Sequence, residues 1–600
     1  VHDLELHVVR TGKDGFSGPL RFGYHPPPLI ATAREDIVTT RAEAIATLTA
    51  PGAPYELVEV EQYGETCRAF RNAPASLRAL YESTLSDVPF LVYDGEQYTF
   101  EHVWQLAGSL ANALTGEFGV RKGDRVAISM RNYPEWVIAF EATTSIGAIA
   151  VAMNALWQPD EMEYGLNDCG ARVLLADQER LDRLARCERA PDLAVIAVRP
   201  ARTLPSGVHE FNDVVGRHSG APMPEAHIEP DDDATIFYTS GSTGHPKGVV
   251  SCHRNIISAL LSWELDGRAA ALAAGTEIPE PETQPATLLA VPLFHATGSH
   301  AVYLSSYRQQ RRLVSMYKWD VAKAAELIEA EGITSVVAPS AMTGDLVEYA
   351  AREGRDLGSL ATVGGGGAAR APEQVRRIAK TFAKALPNTG WGMTETNAIG
   401  TGIGGQDYLD HPASSGRVSA VLDLRVVDGA GKALPRGERG ELQVRGTSVF
   451  RGYWQRPDAN AEAFDGRWLR TGDVAYIDDE GYLYIVDRIK DLVIRGGENI
   501  GCGAVESALL EHPLVLEASV YAVPDDRLGE EVGATLYTSA PASEDDLRAF
   551  LEPHLAAFEI PRYFHFSSEP LPRTASGKIL RRQLRDEACA RLTSRTRMEG

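Results

Sequence analysis

Residues 238–249 read YTSGSTGHPKGV, and on this stretch the rest of the chain turns. It follows the apolar patch Thr235-Ile236-Phe237 and gathers Gly241, Gly244 and Gly248, the hydroxyls of Thr239, Ser240, Ser242 and Thr243, and the ammonium of Lys247. A strand ending in such a loop brings backbone N–H groups, hydroxyls and one cation onto a polyphosphate. The loop departs from the commoner phosphate loop. Gly241 and Gly244 flank only Ser242-Thr243, and Lys247 is followed by Gly248 rather than by Ser or Thr. A Gly/Ser-rich surface linker is the alternative, but linkers rarely lie between two apolar runs. Nucleotide chemistry is the first expectation.

The 600 residues, 44% of them hydrophobic, can bury a large core and divide into at least two domains. A formal net charge of -23 argues against nucleic acid or an anionic membrane as partner, since phosphate backbones require a basic footprint. A small polyanion needs only a few cations gathered locally. Cys67, Cys169, Cys187, Cys252, Cys502 and Cys589 form no CxxC pair, which points to neither zinc nor a disulfide framework and fits a reducing cytoplasm. The long apolar stretch at 136–156 contains Glu141 and Asn154 and reads as a buried helix running into a strand, not as an integral membrane span. Residues 1–29 lack the charged start and cleavage site of a secretory signal and read as an extension.

Between residues 74 and 177, amphipathic helices such as 100–118 alternate with short strands at 125–129 and 173–176, the pattern of α/β layering. The alternation resumes after the loop with a helix over 255–265, a strand over 287–292, a helix over 321–331 and a strand over 335–338. A Pro/Glu-rich loop is expected at 275–285. From residue 416 short β runs at 422–427, 440–445 and 482–486 suit a small barrel-like subdomain. Farther on, helices at 504–511 and 544–554 with strands at 516–523 and 532–537 read as a compact α+β unit. The expected division is an N-terminal extension and lead-in over 1–73, a large layered α/β domain over 74–487, and a small mobile C-terminal domain over 488–600.

Further motifs follow the loop: PLFHATG at 292–298, GWGMTET at 390–396, GELQVRG at 440–446, TGD at 471–473, DRIKD at 487–491 and LPRTASGK at 571–578. In this order they closely resemble the acyl-adenylate-forming superfamily of acyl-CoA synthetases, amino-acid adenylation domains and beetle luciferases, over roughly residues 74–585. The resemblance implies a large domain, a small lid, and two half-reactions in the cleft between them. A carboxylate first attacks the α-phosphate of ATP, releasing pyrophosphate. A thiol then displaces AMP from the acyl-adenylate. ATP, Mg²⁺ and coenzyme A are the implied cofactors and co-substrates, and a homodimer is compatible with it.

In-line attack at phosphorus builds charge on oxygen, so such a site needs donors and a metal rather than a protein nucleophile. By the resemblance, Thr394 donates to the α-phosphate and Glu395 is the Mg²⁺ ligand; a Thr-Glu pair in a helix's first turn is the alternative. Asp473 offers two oxygens to the ribose hydroxyls, although TGD alone would read as a turn aspartate. Gly365, Gly366 and Trp391 are placed against adenine, with a core Trp as the competing reading. Arg488 follows the ribose or a phosphate. Lys578, a solvated lysine without the family, becomes the cation inserted between carboxylate and α-phosphate. Lys490 is the implied hinge, on which the lid swings Lys578 out and brings Gly496 and Gly497 in to accept the thiol. His295 is the gate between acyl pocket and thiol tunnel, with a satisfied core histidine as alternative.

The acyl pocket is expected to be walled by His295, Ala296, Thr297, Gly298, Ala338 and Gly367. All but His295 are small, which suits a long-chain or bulky cyclic acid. Residues 291–315 contain no Asp or Glu to pair an amino-acid ammonium, so an uncharged, hydrophobic carboxylic acid and free coenzyme A are favoured. An enzyme specialised for one half-reaction, and a catalytically silent nucleotide-binding protein, are the competing functions. One departure bears on the first: Gly501-Cys502-Gly503 stands where family members commonly carry Tyr-Pro-x, and a more mobile thiol-accepting loop is expected there.

Overall fold

The computed structural model describes residues 40–239, 245–276, 281–366, 372–382, 384–496, 498–525, 527–574 and 577–599. The 1–39 part of the expected N-terminal extension lies outside them. Two large sheets build the body. The eight-stranded sheet runs Gly452–Tyr453, Lys247–Cys252, Asp233–Thr239, Ile149–Ala152, Arg125–Ser129, Val173–Asp177, Ala194–Val198 and Val208–Glu210. Its strands read as unbroken Val/Ile/Ala runs because helices cover both faces. The opening motif bends between two of them: Asp233–Thr239 pairs antiparallel with Lys247–Cys252, and Thr239 stands opposite Lys247.

The nine-stranded sheet holds Leu386–Thr389, Thr362–Gly364, Ser335–Val337, Ala286–Leu289, Arg312–Ser315 and Pro89–Tyr93 side by side and parallel. Their carboxyl ends therefore share one edge, the usual place for a ligand in such a sheet. The apolar stretch at 136–156 folds as expected. All residues of the helix Pro134–Ser145 are buried, Gly147 turns the chain at φ 73, and the strand Ile149–Ala152 follows.

Two elements differ in length from the sequence expectation. The helix expected over 255–265 runs from His253 to Ala273, because the Ala-rich continuation keeps helix propensity despite Gly267. The strand expected over 287–292 stops at Leu289; Pro292 has no N–H to extend a ladder, and the chain turns away toward His295. Residues 41–70 also pack on the body: Arg41 binds Asp266 at 2.6 Å, and Arg68 of the hairpin binds Asp423 at 2.7 Å.

Beyond residue 416 the strands Leu422–Val427, Gly440–Gly446, Trp468–Ile477, Phe464–Asp465 and Leu483–Arg488 form an antiparallel unit, bulged near Gln443 and Val474. The next strand, Val493–Arg495, belongs to a separate sheet with Glu498–Ile500, Gly529–Thr538, Val515–Asp525 and Tyr563–Ser567. That sheet closes its own core of Val493, Val505, Leu509, Val520, Leu536 and Leu547. Among the described residues, no helix is long and apolar enough to cross a membrane.

Candidate active site

A cleft of about 3220 Å³ lies along the carboxyl edge of the nine-stranded sheet and receives the tip of the C-terminal unit. One side is built by the loop after Leu386–Thr389, where three glycines permit backbone contacts that a side chain would block. A Cβ at Gly390 would come within 2.3 Å of the Thr401 carbonyl, one at Gly392 within 2.6 Å of Ala398, and one at Gly400 within 2.4 Å of the Trp391 ring. The folded-back loop ends in a 3₁₀ turn, Thr394–Thr396. Asn397 and Ala398 follow with φ of 58° and 64°, a left-handed pair that costs an Ala about 1–2 kcal/mol and clusters at functional sites.

This loop aims Trp391, Thr394 and Glu395 into the cleft. The Trp391 indole N–H donates to Asp473 Oδ2 at 2.7 Å, and Arg488 Nε reaches Asp473 Oδ1 at 3.0 Å. Asp473 and Arg488 are cross-strand partners, and Asp473 is 3% exposed. The TGD aspartate is thus a buried, doubly held carboxylate rather than a turn residue. Trp391 lines the cleft while packing against Gly400 and orienting Asp473.

Glu395 is buried, and burial raises its carboxyl pKa above the usual range against an opposing hydrogen bond from Tyr453. The Tyr453 hydroxyl donates to Glu395 Oε1 at 2.9 Å, while its ring carries the Lys247 ammonium 5.1 Å from the centroid. Tyr453 therefore couples the opening motif to the carboxylate. Sequence reasoning missed it, because Tyr453 lies far along the chain and reaches Lys247 only through the pairing of Val249 with Tyr453. Ser240, Gly241, Ser242, Thr243 and Gly244 lie outside the described residues, as do Gly367, Gly497 and the Lys490 side chain.

From the other side the C-terminal tip enters. Gly577, at φ 79, sets its Cα where an added Cβ would touch Pro339 at 3.4 Å and Met342 at 3.6 Å, so the tip rests on the body. Thr574 Oγ1 accepts from the Lys578 N–H at 3.1 Å, and Arg573 donates to the Gly577 carbonyl at 2.9 Å while paired to Glu517. This fixes a tight hairpin with Lys578 at its end, lining the cleft beside His295. Burial pushes the His295 imidazole down to about 4, and the Lys578 ammonium adds to the effect. His295 is thus neutral at neutral pH.

Gly365, Gly366, Ala296, Thr297 and Thr239 also line the cleft. Two expected pocket residues do not. Ala338 is fully buried in the core. Gly298 opens a π-helix, Thr297–Leu304, whose first turn crowds the backbone: a Cβ there would fall 2.1 Å from the Pro292 carbonyl oxygen. Glycine is required at 298 by that approach rather than by substrate room.

Gly496 is likewise away from the cleft, at φ 59 with its N–H donated to Leu528 O at 2.8 Å. The expectation of a mobile Gly501-Cys502-Gly503 loop is not met. Without side chains, Gly501 and Gly503 let the helix Cys502–Leu510 dock on Val486, where added Cβ atoms would stand at 3.3 and 3.4 Å. The Gly503 N–H donates to Asp487 at 3.1 Å, and the buried Cys502 thiol donates to Asp491 O at 3.0 Å. Burial raises that thiol's pKa, which suits packing rather than nucleophilic chemistry.

The chain belongs to the AMP-binding enzyme family: the family pattern matches residues 81–454, and that of the AMP-binding enzyme C-terminal domain matches 504–578. It is 33% identical over 499 residues to the 2-succinylbenzoate–CoA ligase of Bacillus velezensis, covering 83% of this chain and 94% of that one. It is 32% identical over 508 residues to the long-chain-fatty-acid–CoA ligase FadD13 of Mycobacterium tuberculosis, covering 82% and 93%. Among solved structures, the anthranilate CoA ligase AuaEII in complex with anthranoyl-AMP superposes with a TM-score of 0.78 at 26% identity, over 86% of this chain and 98% of that one. The layered α/β body with a small C-terminal unit is the architecture of adenylate-forming ligases.

Proposed function

We propose that this chain is an ATP-dependent, AMP-forming acid–CoA ligase that activates a carboxylic acid with a hydrophobic body. The observation that carries the reading is the meeting of Lys578, Glu395 and Asp473 around one cleft, from three distant parts of the sequence. In the first step a carboxylate oxygen bonds to the α-phosphorus of ATP and the bond to pyrophosphate breaks, the pyrophosphate leaving with the electron pair. In the second, the coenzyme A thiol loses its proton, its sulfur bonds to the acyl carbon, and AMP departs.

Lys578 would sit against the α-phosphate and the attacking oxygen, where a positioned cation stabilises developing charge. His295, neutral beside it, leaves that ammonium as the local cation to draw the acid. Asp473, oriented by Trp391 and Arg488, would take the ribose hydroxyls, and Gly365 and Gly366 would let adenine approach the backbone. Lys247 would hold the outer phosphates together with Thr239 and the glycine-rich loop, and Thr394 would donate to the α-phosphate.

No group of three or more His, Cys, Asp or Glu that could hold a metal is found among the described residues. Glu395, which lines the cleft and is bound at Oε1 by Tyr453, fits an ion held by a single carboxylate, substrate phosphates and water, the habit of Mg²⁺. When bound, Mg²⁺ supplies charge neutralisation at the phosphate oxygens.

We take residues 488–600 as a lid turning near Lys490. What supports this is that Lys578 lines the cleft while Gly496 lies outside it, the arrangement required for adenylation; a swing exchanging the two would open the way for the thiol. A cytoplasmic site and a homodimer complete the proposal, and size-exclusion mass measurement tests the latter. A carboxylic-acid panel with ATP and coenzyme A, scored by acyl-CoA mass, tests the function. Pyrophosphate released from acid and ATP alone, compared with AMP released from supplied acyl-adenylate and coenzyme A, separates a complete ligase from one specialised for a half-reaction.

A further inference from the structure

Away from the nucleotide end, the cleft continues between the helix His253–Ala273, the π-helix with its continuation Ser305–Arg308, and the sheet. Small residues, Ala301, Gly267, Ala270 and Ala271, line it. An added Cβ at Gly267 would meet nothing within 4 Å. At the far end the chemistry changes. Thr287, Ser335 and Thr362 stand in one register row across three adjacent strands, at the amino-terminal edge of the sheet, and all three line the cleft. The Thr362 hydroxyl donates to Ser335 at 2.8 Å, while the buried Thr287 Oγ1 has no partner among the described residues.

Arg311 lines the same cavity, and its neighbours set it apart. Arg308 binds Glu264 at 2.6 Å, Arg312 binds Glu331 at 2.9 Å, and Gln310 is fixed by Thr84 and Ser86. The Arg311 guanidinium, half-buried, has no hydrogen-bond or ion-pair partner among the described residues. Burial lowers its pKa with no carboxylate offsetting the loss of water. A cation held this way in a chain of net charge -23 calls for an anion from outside the protein. The wall from Thr297 to Gln309 spans at most ~18 Å at about 1.5 Å per helical residue, well beyond a benzoate-sized acid.

We propose that Arg311, with the hydroxyl row Thr287–Ser335–Thr362, forms a distal site for a second carboxylate of the acid substrate. The enzyme would then favour elongated acids with a hydrophobic middle and an acidic far end, of which long-chain α,ω-dicarboxylic acids are the simplest. This rests on the ligase reading and revises the expectation of a wholly uncharged acyl group: residues 291–315 lack acids, but they carry Arg308, Arg311 and Arg312.

The test measures acyl-CoA formation by the full chain on matched monocarboxylic and α,ω-dicarboxylic acids of increasing length, with wild type, Arg311→Met and Arg311→Lys. We expect wild type to favour the diacid about tenfold or more once the chain spans the tunnel. Arg311→Met should collapse the diacid-to-monoacid ratio of kcat/KM by roughly ten- to a hundredfold, chiefly through KM, with Arg311→Lys restoring part of it. Equal use of both series by wild type, or an equal loss on both series in Arg311→Met, overturns the distal site while leaving the ligase reading intact. No acyl-CoA from either series, in a folded protein that binds ATP, overturns both.

Discussion

At the nucleotide end of the cleft, Asp473 is held by Trp391 and Arg488, and Glu395 by Tyr453. At the end proposed for the acyl group, Arg311 lines the cavity and the buried Thr287 hydroxyl lies in the same wall, neither with a partner among the described residues, near Gly267, Ala270 and Ala271. The first end is preorganised: its groups are fixed before substrate arrives, so little reorganisation is needed as charge develops. The second leaves its polar groups for the ligand to satisfy, which makes it the seat of selectivity, because a site built for an acceptor rejects a substrate lacking one. The same adenylation machinery can thus serve different acids by changing one end alone.

Substitutions at the preorganised end should strike every acid alike, and the largest loss is expected at Lys578, which the proposed lid brings to it. Lys578→Ala should slow pyrophosphate release ~100- to 1000-fold, about 2.7–4 kcal/mol, for all acids. Thioester formation from supplied adenylate should fall far less, since Lys578 would have left the cleft by then. Equal losses in both half-reactions would break the division of labour between the lid's two positions.

Asp473→Ala should come next, raising KM for ATP roughly ten- to a hundredfold by removing a buried charged acceptor and freeing the Trp391 N–H and Arg488. Tyr453→Phe keeps the ring beneath Lys247 but removes the hydrogen bond to Glu395, and a two- to tenfold rise in KM for MgATP is expected, about 0.5–1.5 kcal/mol. It also carries a pH signature. Burial already holds the Glu395 pKa above its ordinary value, and the Tyr453 hydroxyl works against that rise. Metal binding needs the ionised carboxylate, so activity falls as pH drops through this pKa, and without the hydroxyl that acid limb should move to higher pH. An unmoved limb would remove Glu395 from metal binding.

The smallest effect is expected at the acyl wall. Gly267→Ala places a methyl in open space on a helix and should stabilise the fold by about 0.5–1 kcal/mol, read as a higher denaturation midpoint. Gly267→Leu should instead reduce kcat/KM progressively with acid length, which a nucleotide-end substitution would not do.

The same contrast explains what was legible in the sequence. The preorganised end is written in contiguous motifs, because glycines such as Gly390 and Gly392 must stand where backbone crowds backbone, and Thr394, Glu395, Asp473 and Lys578 sit inside those motifs. Tyr453 was not legible, since its role arises from strand pairing across two hundred residues of chain. The far part of the cleft, proposed for the acyl group, was less legible. Its wall lies on the last turns of the helix His253–Ala273, past the point where the apolar periodicity fades, and its far end is a register row that exists only once strands pair. Gly298 and Ala338 were assigned to the pocket because smallness looks the same whether it serves a ligand or a tight backbone turn.

The most direct test of the chemistry follows oxygen. The acid, labelled with ¹⁸O in its carboxylate, is turned over with ATP and coenzyme A, and the mass of the nucleotide product is read. If the carboxylate attacks the α-phosphate as the placement of Lys578 and Glu395 implies, AMP will carry one ¹⁸O from the acid. Unlabelled AMP, or label appearing in inorganic phosphate alongside ADP, would contradict an acyl-adenylate and with it the assignment of this cleft.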